Sequence, residues 1–347
     1  MTRKKSAILV PPQRVQPDLC HETDTRLRKV VAVSRTKRIK QIGMACGIAL
    51  AIGAATILWR NLDGALLLSA LQHLQVLPPA LIASAIGLVT LSFVLAGCYE
   101  AVALREIGQP LGVLKPIMVT LIANPIGHTL GVSVLSAGAL RYRIYAASGL
   151  GAAQIGKVIV LTAMPFLLGV ALLLSVALLS GSERAAIALH VHPAVVAVAG
   201  AAGIVINLGY VAFTASRKLQ LKPPRLPSTL TQYGYGVVEI LLIAAVLYLF
   251  MPSDLGMGIA SFLVVYLIAV LLGQVSSVPA GLGVLEASLM VMLPHVPKEE
   301  LLAAVLAYRV IFEVLPLLVA LLLLATYEAG SRRGVIGRWW RARQIED

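Results

Sequence analysis

Apolar residues run along this chain in long blocks separated by short polar connections. Blocks near 42–59, 79–104, 156–180, 193–214, 232–251, 256–273 and 301–327 approach or exceed the ~20 helical residues that cross a hydrocarbon core of ~30 Å. Two further stretches are apolar but interrupted. One, near 116–140, contains Asn124, Pro125 and Gly138. The other, near 277–293, contains Pro279, Gly281 and Gly283. Between the first two blocks, Leu62, Leu66, Ala70 and Leu74 recur at helical spacing among polar residues, which predicts a short helix lying in the membrane interface.

Composition agrees with the pattern. The chain is 59% hydrophobic and 13% charged, whereas soluble domains are about a quarter charged. The class expected is an all-α polytopic integral membrane protein, with a weak internal repeat suggested by the two interrupted stretches. Cys20, Cys46 and Cys98 suggest no disulfide framework. The net charge of +13 raises the question of nucleic acid, but the basic residues sit in tails and short connections. That distribution orients a membrane protein; no nucleic-acid partner is expected.

Three regions follow. Residues 1–41 form a basic tail with Pro11, Pro12 and Pro17 and little periodicity, expected to be disordered and cytoplasmic. Residues 42–330 form the membrane domain, and 331–347 a second basic cytoplasmic tail. The first apolar block has a long charged leader and no convincing cleavage site, so it reads as a signal anchor. With 116–140 entering and leaving on the cytoplasmic side and 277–293 crossing, the chain has eight spans and one re-entrant element. Of the 29 Lys and Arg, 25 then lie in cytoplasmic segments, as the positive-inside rule favours. The expected location is the bacterial inner membrane, with both termini cytoplasmic.

The interruptions carry a physical consequence. Non-helical backbone cannot face lipid, because each unpaired N–H or C=O costs several kcal/mol there. Pro125 also disfavours helical geometry at Asn124. Both stretches must therefore be buried in protein or line a wet cavity, and paired broken segments point to a transporter's binding site. Aligning Ala137-Gly138 with Ala280-Gly281 also matches Ser133 with Ser276 and sets Arg143 opposite Glu286. The alternative is that the glycines let helices pack closely.

Ionisable residues at bilayer depth are costly and few. Glu100 and Glu239 read as lying near span ends, within reach of solvent. Glu286 follows an interrupted backbone and is the leading carboxylate. Arg309 and Glu313 are four apart on one helix face and form a pair. Arg141 and Arg143 have the forked donors that grip a phosphodiester, or else they snorkel to the interface. His128 lies within the first interrupted stretch, without a second ligand at metal spacing. No metal or other cofactor is expected. P-loop, Gly-x-Ser-x-Gly and His-Glu-x-x-His motifs do not occur, so an enzyme is not expected.

With these residues in view, three ordered stretches resemble one family. "SAGALRYRIYAASGL" (136–150), "SSVPAGLGVLEA" (276–287) and "LAYRVIFEVLPLLVALLLLATYE" (306–328) are similar to the membrane region of lysylphosphatidylglycerol synthetases, the multiple peptide resistance factors. In that family this half is the flippase domain, and a separate cytosolic domain aminoacylates the lipid. The resemblance implies a stand-alone flippase-like member without the synthase domain. It places lipid handling on Arg141, Arg143, Pro279, Gly281, Gly283, Glu286, Tyr308 and Arg309. Ala137 and Ala280 stand where the family pattern has glycine, and Glu313 where an aromatic is usual.

The function expected is translocation of an anionic or aminoacylated phospholipid between leaflets, with membrane phospholipids as partners. Lipid-contacting side chains would be Arg141, Arg143, Glu286, Tyr308, Arg309 and His128. Asn124, Pro125, Gly138, Pro279, Gly281 and Gly283 would supply the broken backbone. A rival reading is a non-transporting scaffold for a separately encoded lipid-modifying enzyme. A further rival is an embedded enzyme acting on lipid phosphate through His128 and Glu286.

Overall fold

A computed structural model describes residues 68–69, 72, 75–129, 133–180, 186, 191–216, 226–253, 255–276 and 278–343, without the side chains of 133–135 and 330–343. The tail 1–41, the block 42–59 and most of the interfacial stripe from Leu62 to Leu74 lie outside the described residues.

The described residues are helical and contain no strand. Helix α1 (Pro79–Glu106) opens on a proline in its first turn, where the missing N–H has no helical partner to lose. Helices α2 (Leu114–Thr129) and α3 (Ser133–Ala146) follow. Next come α4 (Ala152–Ser180), α5 (Pro193–Ser216) and α6 (Leu226–Phe250). Helix α7 (Ile259–Ser276) leads through a 3₁₀ turn, Pro279–Gly281, into the short α8 (Val284–Met292). Helix α9 (Lys298–Arg309) passes through a π-helical turn, Val310–Val314, into α10 (Leu315–Arg343). Among the described residues, six helical segments are long and apolar enough to cross a membrane: α1, α4, α5, α6, α7 and the α9–α10 rod from Lys298 to Ala329.

Two of the elements are hairpins. At 16 and 14 residues, α2 and α3 are about 24 and 21 Å long, too short to cross alone. They pack against each other. Their open ends lie on one side: Ile107 and Leu111 after α1 share a buried cluster with Ile144, Tyr145 and Leu150 after the return. This matches the re-entrant expectation for 116–140.

The second hairpin corrects the expectation that 277–293 crosses. Helix α8 has nine residues and spans only about 14 Å. It folds back on α7. Beyond it, the His295 ring nitrogen Nε2 sits 3.0 Å from the Leu255 carbonyl, just ahead of α7. The chain thus returns to the side it came from, and α7–α8 is a second re-entrant hairpin. The order helix, hairpin, helix occurs twice, as α1, α2–α3, α4 and as α6, α7–α8, α9–α10. The two hairpins insert from opposite sides, so the repeat is inverted.

Proline chemistry differs between the tips. Pro125 does not interrupt α2, which continues to Thr129. Its missing N–H costs the helix one bond, the one to the Leu121 carbonyl, and at the helix end the Thr129 hydroxyl donates to the Pro125 carbonyl at 2.9 Å. Gly138 is likewise helical, within α3. A Cβ there would meet Ile159 Cδ1 of α4 at 3.3 Å, so Gly138 serves close packing. In the second hairpin the backbone does break. Ala280, Gly281 and Gly283 have φ of 53°, 60° and 81°.

The main core joins α1, α4, α6, α7, α8 and α9. The second joins α1 to the α2–α3 hairpin, α4 and α10. Backbones touch where side chains vanish: a Cβ on Gly236 of α6 would lie 1.8 Å from the Pro165 carbonyl oxygen of α4. Val195, Val198, Val205, Ile206 and Leu208 of α5 point outward and exposed, the apolar surface a lipid-facing helix presents.

Candidate functional site

The tips of the two hairpins meet, the end of α2 lying against the Pro279–Gly281 turn. Around that meeting point opens a cavity. Its walls include Asn124, Pro125, His128 and Thr129 from α2, and Val278, Ala280 and Gly281 from the turn. Glu239 of α6, Tyr266, Gly273 and Gln274 of α7, and Tyr308, Phe312 and Glu313 of the α9–π segment complete it, with Ser92, Phe93 and Phe166. The space open to the centre of a water molecule is about 160 Å³, roughly ten times what one water needs. With the polar side chains in its walls, the cavity has room and partners for several waters or a small polar headgroup.

The arginines expected to grip phosphate are engaged elsewhere. Glu100 is completely buried. Its Oε1 accepts from Arg141 Nε at 3.1 Å and the Tyr145 hydroxyl at 2.8 Å. Its Oε2 accepts from Arg141 Nη2 at 2.8 Å and the Thr120 hydroxyl at 2.6 Å. The solvent-reached position read for Glu100 is thus overturned: the α2–α3 hairpin covers it. Arg141 is itself buried at 6% exposure, and its Nη2 also donates to Asn124 Oδ1 at 2.9 Å. It ties the first hairpin to α1 and presents Asn124 to the cavity.

Arg309 does the same for the second hairpin. It pairs with Glu286 through Nε to Oε1 and through Nη2 to Oε2, the latter at 2.9 Å. Its Nη1 donates to both oxygens of Glu313 at 2.9 Å and to the Ala280 carbonyl at 3.1 Å. Its Nη2 also reaches the Gly281 carbonyl at 3.3 Å. Glu286 Oε2 accepts the Gly283 N–H at 2.9 Å. Carbonyls exposed by the left-handed turn thus find donors inside the protein, as backbone at bilayer depth requires. Glu286 pins the turn and does not line the cavity. The π-helical turn, a form frequent at functional sites, brings Phe312 and Glu313 to the wall one turn after Tyr308.

Of the side chains expected to contact lipid, His128 and Tyr308 line the cavity, and of the positions expected to supply broken backbone, Asn124, Pro125 and Gly281 do. Arg143 lies apart. Its side chain is 63% exposed and bonds Glu328 of α10 at 2.6 Å. Pro279 and Gly283 shape the turn without lining the space. Sequence reasoning passed over Glu239. Far from a span end, it stands at the centre of α6, thirteen residues after Leu226 and eleven before Phe250. The polar residues from Leu226 to Thr231 belong to the helix and move its midpoint. Tyr266, Gln274 and Phe312 were also missed; nothing in the apolar pattern marks them.

No family model matches the chain. An uncharacterized protein of Synechocystis sp. is 27% identical to it over 302 residues, 83% of this chain and 91% of that protein. The inner membrane protein YbhN of Escherichia coli is 30% identical over 262 residues, 72% of this chain and 81% of that protein.

Proposed function

We propose that this chain, which belongs to the family of the Escherichia coli inner membrane protein YbhN, translocates an anionic or aminoacylated phospholipid between leaflets. The observation that carries the proposal is the cavity, lined in part by polar side chains, where two oppositely inserted hairpins meet. A polar chamber at the depth of the α6 midpoint has little use in a protein that only packs in lipid. The ordered stretches that resemble the membrane half of lysylphosphatidylglycerol synthetases support a lipid as cargo, and the likeness to YbhN supports the inner membrane as its place of action. In this reading the chain moves lipid and makes or breaks no covalent bond.

The cavity's charges refine the headgroup. Its walls carry the carboxylates of Glu239 and Glu313, the His128 ring and the hydroxyls of Ser92, Thr129, Tyr266 and Tyr308, with no guanidinium among the described lining residues. A phosphate would find no forked donor inside, whereas an ammonium would find carboxylates. The proposal therefore favours an amine-bearing headgroup entering the cavity while its phosphate stays at the rim.

Reconstitution tests this. Liposomes containing the purified chain and a fluorescent aminoacylated phospholipid should show leaflet exchange well above empty vesicles. Val270 also lines the cavity, and Val270→Trp, which puts a bulky ring into that space, should reduce exchange markedly. Exchange no faster than in empty vesicles would overturn the proposal. In that case, stoichiometric capture of a lipid-modifying enzyme by the full chain would favour the scaffold reading.

A further inference from the structure

Carboxylates at bilayer depth in this protein come with arginines. Glu100 has Arg141, and Glu286 and Glu313 share Arg309. Glu239 is the exception, with no basic partner among the described residues. Its Oε2 is buried without any hydrogen-bond partner in the protein, and it faces the cavity.

The helix that carries Glu239 is polar on one side only as far as that residue. Ser228, Gln232, Tyr235 and Glu239 follow at intervals of four, three and four, which sets them on one helical face. Thr229 borders them. Ser228, Thr229 and Gln232 are 7%, 0% and 5% exposed, yet Ser228 Oγ, Thr229 Oγ1 and Gln232 Oε1 have no partner in the protein. Above them the Tyr235 ring lies 5.9 Å from that of Tyr99, and Tyr99 stands beside Glu239. Buried polar groups are nearly always paired, so a run of unpaired ones on a single face needs a ligand. From Ser228 to Glu239 the rise is about 16 Å, half of a hydrocarbon core of ~30 Å. The run thus leads from the Leu226 end of α6, which the basic-residue distribution assigns to the cytoplasm, to the middle of the bundle.

We propose that Glu239 is a proton-binding site, loaded through a hydrated path along Ser228, Thr229, Gln232 and Tyr235, and that its protonation is coupled to passage of cargo through the cavity. Hydronium in the path gives its proton to Glu239 Oε2, leaving water and a neutral carboxyl; release to water in the cavity reverses the step. The groups facing Glu239 are Tyr99 from α1, His128 from α2, Tyr266 from α7, and Tyr308 and Glu313 from the α9–π segment. The Glu100–Arg141 pair lies beyond Tyr99. Helix α4 contributes Phe166, and α5 contributes no titratable group to the cavity. The coupling rests on the lipid-translocation reading; the proton site does not.

Two measurements on the full chain in liposomes separate these. The first is infrared difference spectroscopy across a pH titration, following the carbonyl stretch of a protonated carboxyl. A titrating band present in wild type and absent in Glu239→Gln is expected. A band unchanged by that substitution overturns the proton site. The second is exchange of the fluorescent aminoacylated lipid under an imposed pH gradient. Wild type should change rate by up to about tenfold per unit of pH difference, and Glu239→Gln should not respond. Gln232→Leu should slow the response while keeping the band. Lipid exchange indifferent to the gradient in wild type overturns the coupling and leaves the lipid reading standing. A Glu239-dependent band without lipid exchange supports the site and sinks the lipid reading.

Discussion

Replacing Arg141 by alanine should unfold the protein far more readily than replacing Arg143, although the two stand two residues apart on α3. Arg141 is buried and holds both oxygens of Glu100, which is itself fully buried. Without it, the carboxylate keeps only the Thr120 and Tyr145 hydroxyls. Breaking one side of such a pair costs about 3–5 kcal/mol, because an uncompensated charge stays behind. Arg143 pairs with Glu328 from a side chain that is 63% exposed, and exposed pairs contribute about 0–1 kcal/mol. The gap of at least about 2 kcal/mol corresponds to roughly thirtyfold in the unfolding equilibrium. Reversible unfolding in mixed micelles of a denaturing and a neutral detergent measures it. The double variant Glu100→Gln, Arg141→Met should be more stable than Arg141→Ala alone, since no charge is orphaned. If Arg141→Ala and Arg143→Ala unfold at the same detergent fraction, the pair does not anchor the hairpin. If Arg141→Ala keeps its stability but loses lipid exchange, the phosphate-gripping role read from the sequence is correct after all.

Three shorter predictions follow from the backbone. Ala280 holds a φ of 53°, a region that costs a residue with a Cβ about 1–2 kcal/mol, so Ala280→Gly should stabilise the chain by about 1 kcal/mol in the same unfolding assay; a loss would mean that the turn is not strained. Gly236→Ala places a Cβ 1.8 Å from the Pro165 carbonyl and should cost at least about 1–3 kcal/mol, whereas Gly87→Ala, with nothing within 4 Å, should not destabilise the protein. In a background without the native cysteines, a cysteine at Leu282, which is exposed at the tip of α7–α8, should not react with a membrane-impermeant thiol reagent from the side of sealed vesicles opposite to that labelling cysteines at Gly256 and His295; labelling from that opposite side would show that 277–293 crosses.

Much of the fold was legible because hydropathy reports burial in lipid directly. The blocks at 79–104, 156–180 and 193–214 mark helices whose ends shift by a few residues, and 301–327 marks a rod that runs on to Arg343. The broken stretches were found because Pro and Gly announce themselves. What hydropathy and charge counting could not see was the return of α7–α8. Two crossings joined by a tip and one hairpin that turns back leave every later segment on the same side. The tip, 274–283, carries no Lys or Arg to tell them apart. Pro125 misled for a different reason: a proline four residues from a helix end removes a single backbone bond, and α2 runs on to Thr129 despite it.

The site was harder to read because its chemistry depends on which charges meet. Each arginine looked available for phosphate when taken alone. Only Arg309 and Glu313 were four apart and so visibly paired. The partners of Arg141 and Arg143 lie 41 and 185 positions away, beyond any local pattern. Once those pairs are drawn, the roles reverse. The guanidiniums in α3 and α9 secure the two hairpins, and the residue left to act on what enters the cavity is Glu239, the carboxylate none of them satisfies. An isolated charge at a helix midpoint is identified by subtraction, and subtraction requires the contacts. The same logic separates architecture from action at the cavity. Substitutions at Glu100 or Glu286 should alter stability first, whereas Glu239→Gln, which keeps the side chain's shape, should alter the response to protons while the bundle stays folded.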